Sequence, residues 1–354
     1  MEVKSRTVEL DIQSILNNRE LLLPLKDCAV LITGVTGLVG SVLCRVLTAA
    51  NDRYQLGIHV VGQARSMEKV RAVLGKVAQR HDVEICLSEE LEQIRPCSYI
   101  IHTACPTQSK FFVEHPVETI HASVDSTVRV LEYARKNRVR KVIYLSSMEQ
   151  YGVPYEAGHV MTEDQCGIVD PLQVRSCYPQ SKRLCECYCK AYAHEYGVDV
   201  SVVRLAQTFG AGVPLSDTRV FMQFARSAIR KTDIVLHTEG KSVSNFCYIS
   251  DAVSGILTVM VKGAAGEAYN VCNDAETRTI AQIASMVAER IAEGQCRLVF
   301  DIPKEKNTYG YAPDATMRLC SDKLRRLGWV PAVSMEEAYR RLIGYITEVE
   351  AQNG

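Results

Sequence analysis

Apolar residues recur along this chain in short blocks that alternate between two spacings. Residues 29–33 (AVLIT) form an apolar run ending in a glycine-rich turn, and residues 39–48 then place apolar side chains at helical spacing. Residues 58–61, 98–102 (SYIIH), 141–145 (KVIYL) and 198–204 (VDVSVVR) read as further buried strands, with helical patterns over 116–136 and 179–196 between them. Buried strands alternating with helices predict a doubly wound parallel sheet covered on both faces, an α/β fold. Beyond Leu205 the rhythm breaks. Residues 210–217 (GAGVPLSD) are loop-like, helical pieces follow at 220–230 and 279–292, and the end is mixed. The pattern therefore divides the chain into an N-terminal extension (1–27), a sheet domain (28–204 with about 246–272) and a smaller mixed C-terminal lobe (205–245 and 273–354) placed to hold a substrate.

Composition narrows the field. The 354 residues carry 41 basic and 41 acidic side chains, so net charge offers no case for nucleic acid or an anionic membrane as partner. The basic run 135–141 closes a helix, where cations meet the negative end of the helix dipole. Residues 1–19 are charged throughout and lack the apolar core of an export signal. The apolar stretch 28–50 is long enough to draw attention, but Arg45 and three glycines argue against a membrane span. A cytoplasmic protein is expected. Its 14 cysteines are then best read as small buried apolar residues. Cys185, Cys187 and Cys189 share no histidine at ligand spacing, and no metal site is expected.

Thr33-Gly34-Val35-Thr36-Gly37-Leu38-Val39-Gly40 sets three glycines directly between the first strand and its helix. The spacing suits a tight turn, close approach of backbone to a pyrophosphate and close packing of helix on strand, with Leu38 and Val39 at the helix N-terminus. It predicts a Rossmann-type dinucleotide site for NAD or NADP. A carboxylate after the second strand would hold the 2′-hydroxyl of NAD; the chain has Gly62-Gln63-Ala64-Arg65 there. Arg65 can pair with a 2′-phosphate, which leans toward NADP, or simply face solvent.

Tyr178-Pro179-Gln180-Ser181-Lys182 puts an ammonium one helical turn from a phenol. In a chain with 16 tyrosines that spacing arises by accident about once, so position gives it weight. It opens a helix after the strand 141–145, whose end reads Ser146-Ser147-Met148-Glu149-Gln150-Tyr151-Gly152. With these segments, His102-Thr103-Ala104, Phe246-Cys247-Tyr248-Ile249-Ser250-Asp251 and Leu327-Gly328-Trp329-Val330-Pro331, the chain resembles the extended short-chain dehydrogenase/reductases. That group comprises nucleotide-sugar epimerases, dehydratases and decarboxylases. The motifs Arg175-Ser176-Cys177-Tyr178 and Asp217-Thr218-Arg219-Val220 are most similar to those of UDP-glucuronate decarboxylases.

The resemblance implies roles. Tyr178 is the base that removes a sugar hydroxyl proton, which requires about 4 kcal/mol of preferential phenolate stabilisation at neutral pH. Lys182 and Ser147 supply part of it, while His102 and Ala104 lie beside the cofactor. Glu149 acts at C5 of a transient 4-keto sugar; Met148 stands where dehydratases carry their acid. The pair of helices over 116–136 and 179–196 implies a homodimer. The pattern departs at Ser244, where an arginine that grips the substrate diphosphate is expected, and at Ser123 and Gln207, where asparagines are expected. Arg219, Lys241 or Arg318 could compensate at the diphosphate. A nucleotide sugar is the implied substrate, with a net NAD(P)-dependent oxidoreductase and a non-catalytic dinucleotide sensor as alternatives.

Overall fold

The computed structural model describes residues 5–156, 158–303 and 316–353. Seven strands form the central sheet: β1 (Ala29–Thr33), β2 (His59–Ala64), β3 (Val83–Leu87), β4 (Tyr99–His102), β5 (Lys141–Ser147), β6 (Val200–Leu205) and β7 (Ala268–Val271). Their order is β3-β2-β1-β4-β5-β6-β7, and each pair is parallel. Strands of a parallel sheet are covered on both faces, which is why AVLIT, KVIYLSS and VSVVRL read as near-continuous buried runs rather than alternating ones. Chain order reverses between β1 and β4, which opens a cleft at the carboxyl ends of these strands.

Helices α1 (Arg6–Leu16), α2 (Leu38–Tyr54), α3 (Pro116–Asn137), α4 (Cys177–Tyr196), α5 (Ile249–Lys262) and α6 (Met335–Asn353) cover the sheet and join the lobes. The α3 and α4 helices lie against each other, and α2 packs on α5. Helix α1 packs against α2, α5 and α6 instead of trailing free, and Ser5 and Thr7 hydroxyls hydrogen-bond the Glu348 carboxylate.

The second lobe is built from small sheets. Arg278–Thr279, Val243–Ser244, Thr316–Leu319 and Val160–Met161 lie in that order; Gln207–Phe209 pairs with Phe246–Tyr248, and Ile234–Leu236 with Leu298–Phe300. Phe209 centres the aromatic core, with the rings of Phe221 and Tyr339 at 5.0 and 5.6 Å. Trp329 is buried and donates its indole N–H to Ser254 Oγ at 2.9 Å. The Asp251 carboxylate accepts the backbone N–H groups of Ala332 and Val333, so the Phe246-to-Asp251 segment ties the C-terminal chain to α5. Ten of the 14 cysteines are buried and all are free; Cys185 and Cys189 face the core from α4 while Cys187 is exposed.

Candidate active site

The glycine turn forms the floor of the cleft. Gly34 takes φ 67°, and a Cβ there would stand 2.9 Å from Ala104 Cα. A Cβ on Gly40 would stand 2.5 Å from the Gly34 carbonyl oxygen. The turn opens α2 at Leu38, whose first N–H groups have no preceding helical carbonyl to bond. An open helix N-terminus behind a cradle that only glycine fits is the arrangement a dinucleotide pyrophosphate requires, and the residues suit that cofactor. Arg65 is exposed just past β2, and Ser66 beyond it caps the next helix.

Beside the turn, His102 at the end of β4 is fully enclosed. Thr33 Oγ1 lies 2.7 Å from its Nδ1, and Thr127 Oγ1 3.3 Å from its Nε2. Burial, helped by the charge of Lys182, pushes the imidazole down to about 3, so it is neutral. It fixes the β1 and β4 ends against each other, as do the Thr103 and Ala104 N–H groups that donate to Thr33 Oγ1.

Tyr178 and Lys182 enter the cleft from the first two turns of α4, four residues apart and on one face. Lys182 donates to the Leu145 carbonyl at 2.8 Å and lies over the rings of Tyr144 (4.9 Å) and Tyr178 (5.7 Å). Burial opposes its charge, but Cys105 and Tyr178 outweigh that and hold the ammonium protonated. Burial pushes Tyr178 up to about 12, while Lys182 and a hydrogen bond from Ser147 pull it down. Ser147, the last residue of β5, also accepts the Glu149 N–H at 3.2 Å and so turns the chain to present Glu149.

Other residues complete this wall. Phe112 stacks on Tyr178 at 4.2 Å with ring planes 10° apart, and the Arg175 guanidinium lies 4.7 Å over the other ring, Phe112. Arg175 donates to Glu149 Oε2 at 2.8 Å. Cys105 Sγ lies 3.3 Å from Ser123 Oγ, so these two hydrogen-bond each other where an asparagine side chain was expected. Arg183 ties down the loop after β5 through the Gln150, Tyr151 and Gly167 carbonyls. Arg204 pairs with Glu186 at 2.7 Å and donates to the Tyr151 hydroxyl, bracing the same loop.

The structure thus brings Ser147, Glu149, Tyr178, Lys182, His102, Ala104 and the glycine turn into one cleft. Arg175, Phe112 and Cys105 belong to its wall and lay outside the sequence-based site residues. Ser244 is buried and points at Met148 Sδ. Its register partner is Met317, so neighbouring Arg318, which is exposed, projects from the opposite face of that small sheet. Lys241 is exposed and ion-paired with Glu239. Arg219 is paired with Asp217 at 2.7 Å and lies over Phe221; Gln207 is exposed at the start of the short strand Gln207–Phe209, two residues past β6.

A phenol, an ammonium and a hydroxyl at the mouth of a dinucleotide cradle define an enzyme of the short-chain dehydrogenase/reductase type. The family model described as "NAD dependent epimerase/dehydratase family" matches residues 30–272, and the chain belongs to that family. UDP-glucuronic acid decarboxylase 6 of Arabidopsis thaliana is 30% identical over 312 residues, which span 87% of this chain and 85% of that protein. The epimerase of Methanothermobacter thermautotrophicus superposes with a TM-score of 0.78 over 94% of this chain and 96% of that one, at 20% identity. A UDP-glucuronic acid 4-epimerase from Bacillus cereus, solved with UDP-glucuronic acid and NAD, gives 0.71 over 91% and 99% at 18% identity. At these identities the two structures share the fold with this chain. Among the described residues no helix is long and apolar enough to cross a membrane.

Proposed function

We propose that the enzyme converts a nucleotide sugar without net redox change, through a transient 4-keto sugar. The observation that carries this reading is the buried Tyr178 and Lys182 pair with Ser147 at the mouth of the glycine cradle. When bound, the nicotinamide dinucleotide supplies the hydride acceptor and, at the end, the donor. Tyr178 Oη takes the C4 hydroxyl proton and gives it back. Lys182 stabilises the phenolate by charge and Ser147 by a hydrogen bond to the same oxygen. Glu149, two residues after Ser147, faces C5 of the keto sugar. Gln207 and Arg219 contact the nucleotide side of the substrate, and exposed Arg65 would pair with a 2′-phosphate were the cofactor NADP. The 30% identity to a UDP-glucuronic acid decarboxylase supports a UDP-sugar. Exposed Val117, Ile120 and Leu184 on α3 and α4 support a homodimer through these helices.

The test is a panel of UDP-, dTDP-, GDP- and CDP-sugars, with products followed by mass spectrometry and NMR. Conversion of at least one, with no net change in nicotinamide absorbance, is expected; conversion of none would overturn the reading. A second reading, net oxidoreduction of a different hydroxyl or ketone, draws on Ser244, which leaves a buried hydroxyl where a cation was expected. Steady consumption of NADPH or NADP would establish it instead.

A further inference from the structure

Lys182 is a buried cation, 3% exposed, and among the described residues no carboxylate pairs with it. A buried charge without a partner is costly. Strand β5 answers with two groups from adjacent residues. The Leu145 carbonyl accepts from the ammonium at 2.8 Å, and the ammonium lies over the ring of Tyr144, 4.9 Å from its centroid. The Tyr144 hydroxyl does not explain this placement, because it is buried and makes no hydrogen bond. Burial also pushes the Tyr144 pKa well above the ordinary tyrosine range, so the ring is a neutral π face and not an anion. That ring is fixed. It is 2% exposed, is tilted 34° to the His102 ring at 5.8 Å, and belongs to the packed cluster that holds Cys185 and Cys189 of α4.

A carboxylate beside Lys182 would hold the ammonium but cancel its charge as felt at Tyr178. An aromatic face attracts a cation through its quadrupole and carries no net charge. Resting on the reading of Tyr178 as the base, we propose that Tyr144 is a positioning residue whose ring face holds the Lys182 ammonium in place without neutralising it, so that the full positive charge acts on the Tyr178 phenolate. The other titratable groups facing this pair are His102 in β4, Cys105 after it, Glu149 after β5, and Cys185 and Cys189 in α4. His102 is neutral. Burial, Cys105 and Glu149 all disfavour the phenolate, and the Lys182 charge with the Ser147 hydrogen bond opposes them. Any charge taken from Lys182 is therefore lost to the base. Cys105 and Tyr178 favour the ammonium by charge only when ionised, so while the phenol keeps its proton the Tyr144 ring and the Leu145 carbonyl are what β5 offers it.

The test reads the ionisation of Tyr178 in the NAD-loaded enzyme by ultraviolet difference absorbance, with Tyr178→Phe as the blank. Tyr144→Leu removes the ring face; it should raise the midpoint by about one pH unit and lower turnover of the converted sugar about tenfold at about pH 7, with KM within about twofold. Tyr144→Phe keeps the face and should return both values to those of the wild type. Because a leucine at this buried position can also loosen the fold, pentafluorophenylalanine at position 144 supplies a ring of similar shape with its quadrupole reversed, and should raise the midpoint at least as far. A midpoint that neither replacement moves, or that Tyr144→Phe moves as far as Tyr144→Leu, overturns the inference. No Tyr178 ionisation below the ordinary tyrosine range in the wild type overturns both this inference and Tyr178 as the base. The absorbance needs no sugar, so these shifts in an enzyme that converts no nucleotide sugar would uphold the role of Tyr144 and overturn the substrate reading.

Discussion

Tyr178 carries two opposed environments. Its ring is sealed between α4 and Phe112, which raises its pKa to about 12, while Lys182 and Ser147 favour the phenolate. The protein alone thus keeps the phenol neutral, and in the proposed mechanism a bound nicotinamide would supply the further positive charge that neutral-pH proton transfer needs. Tyr178→Phe should therefore lower turnover by about 10²- to 10⁴-fold while NAD affinity, followed by fluorescence titration, stays unchanged. An unchanged rate would remove Tyr178 from the mechanism. Ser147, Tyr178 and Lys182 were legible in sequence because each sits at a fixed offset from a strand end or helix start. Phe112 was not, and Arg175 was visible only as part of the motif that precedes Tyr178. Their roles come from contacts between separate segments, such as Phe112 on Tyr178 and Arg175 on Glu149, and no local spacing encodes them.

At the scale of elements, β1, the glycine turn and α2 were read directly, since a buried strand, a glycine triplet and a helical period adjoin each other. Gly34 is the strictest position among them. An alanine there combines a left-handed backbone with a Cβ 2.9 Å from Ala104 Cα and from Thr103 Oγ1. Gly34→Ala should cost about 1–3 kcal/mol in stability by thermal or urea unfolding, and should weaken NAD binding by more than that loss predicts. Normal cofactor affinity would mean that the turn tolerates a side chain. Elements without such punctuation escaped detection. β3 (VEICL) has only two buried positions and sits in charged sequence. Helix α5 is buried almost all round, so it lacks the polar face that marks a helical period. The run 279–292 is only partly α-helical, because a π-helical turn over residues 287–291 follows Ile280–Met286.

The whole molecule is closed by its two ends. Helix α1 lies outside the family match yet inserts Asp11 between the lobes, where Tyr248 donates to Oδ2 at 2.8 Å and Arg341 of α6 to Oδ1 at 2.9 Å. The Tyr248 hydroxyl also accepts the Ala211 N–H at 3.4 Å, so α1, the start of α5 and the loop after Phe209 meet at one point. Burial raises the Asp11 carboxyl from 3.8 to about 6; the Tyr248 and Arg341 contacts lower it, and nearby Asp251 adds a smaller upward push. A carboxyl whose folded pKa exceeds its unfolded value favours the native state most when protonated. Its contribution is fully present below about pH 4 and is lost as pH rises through about 6. A rise from 3.8 to about 6 corresponds to about 3 kcal/mol. Asp11→Asn keeps an acceptor for Tyr248 and cannot ionise, and Arg341 retains Glu337 at 2.7 Å. The stability difference between variant and wild type should therefore move by about 3 kcal/mol in the variant's favour between about pH 4 and pH 7, measured by urea unfolding across that range. Parallel curves would show that Asp11 does not titrate at this junction, and that α1 joins the lobes by packing rather than by charge.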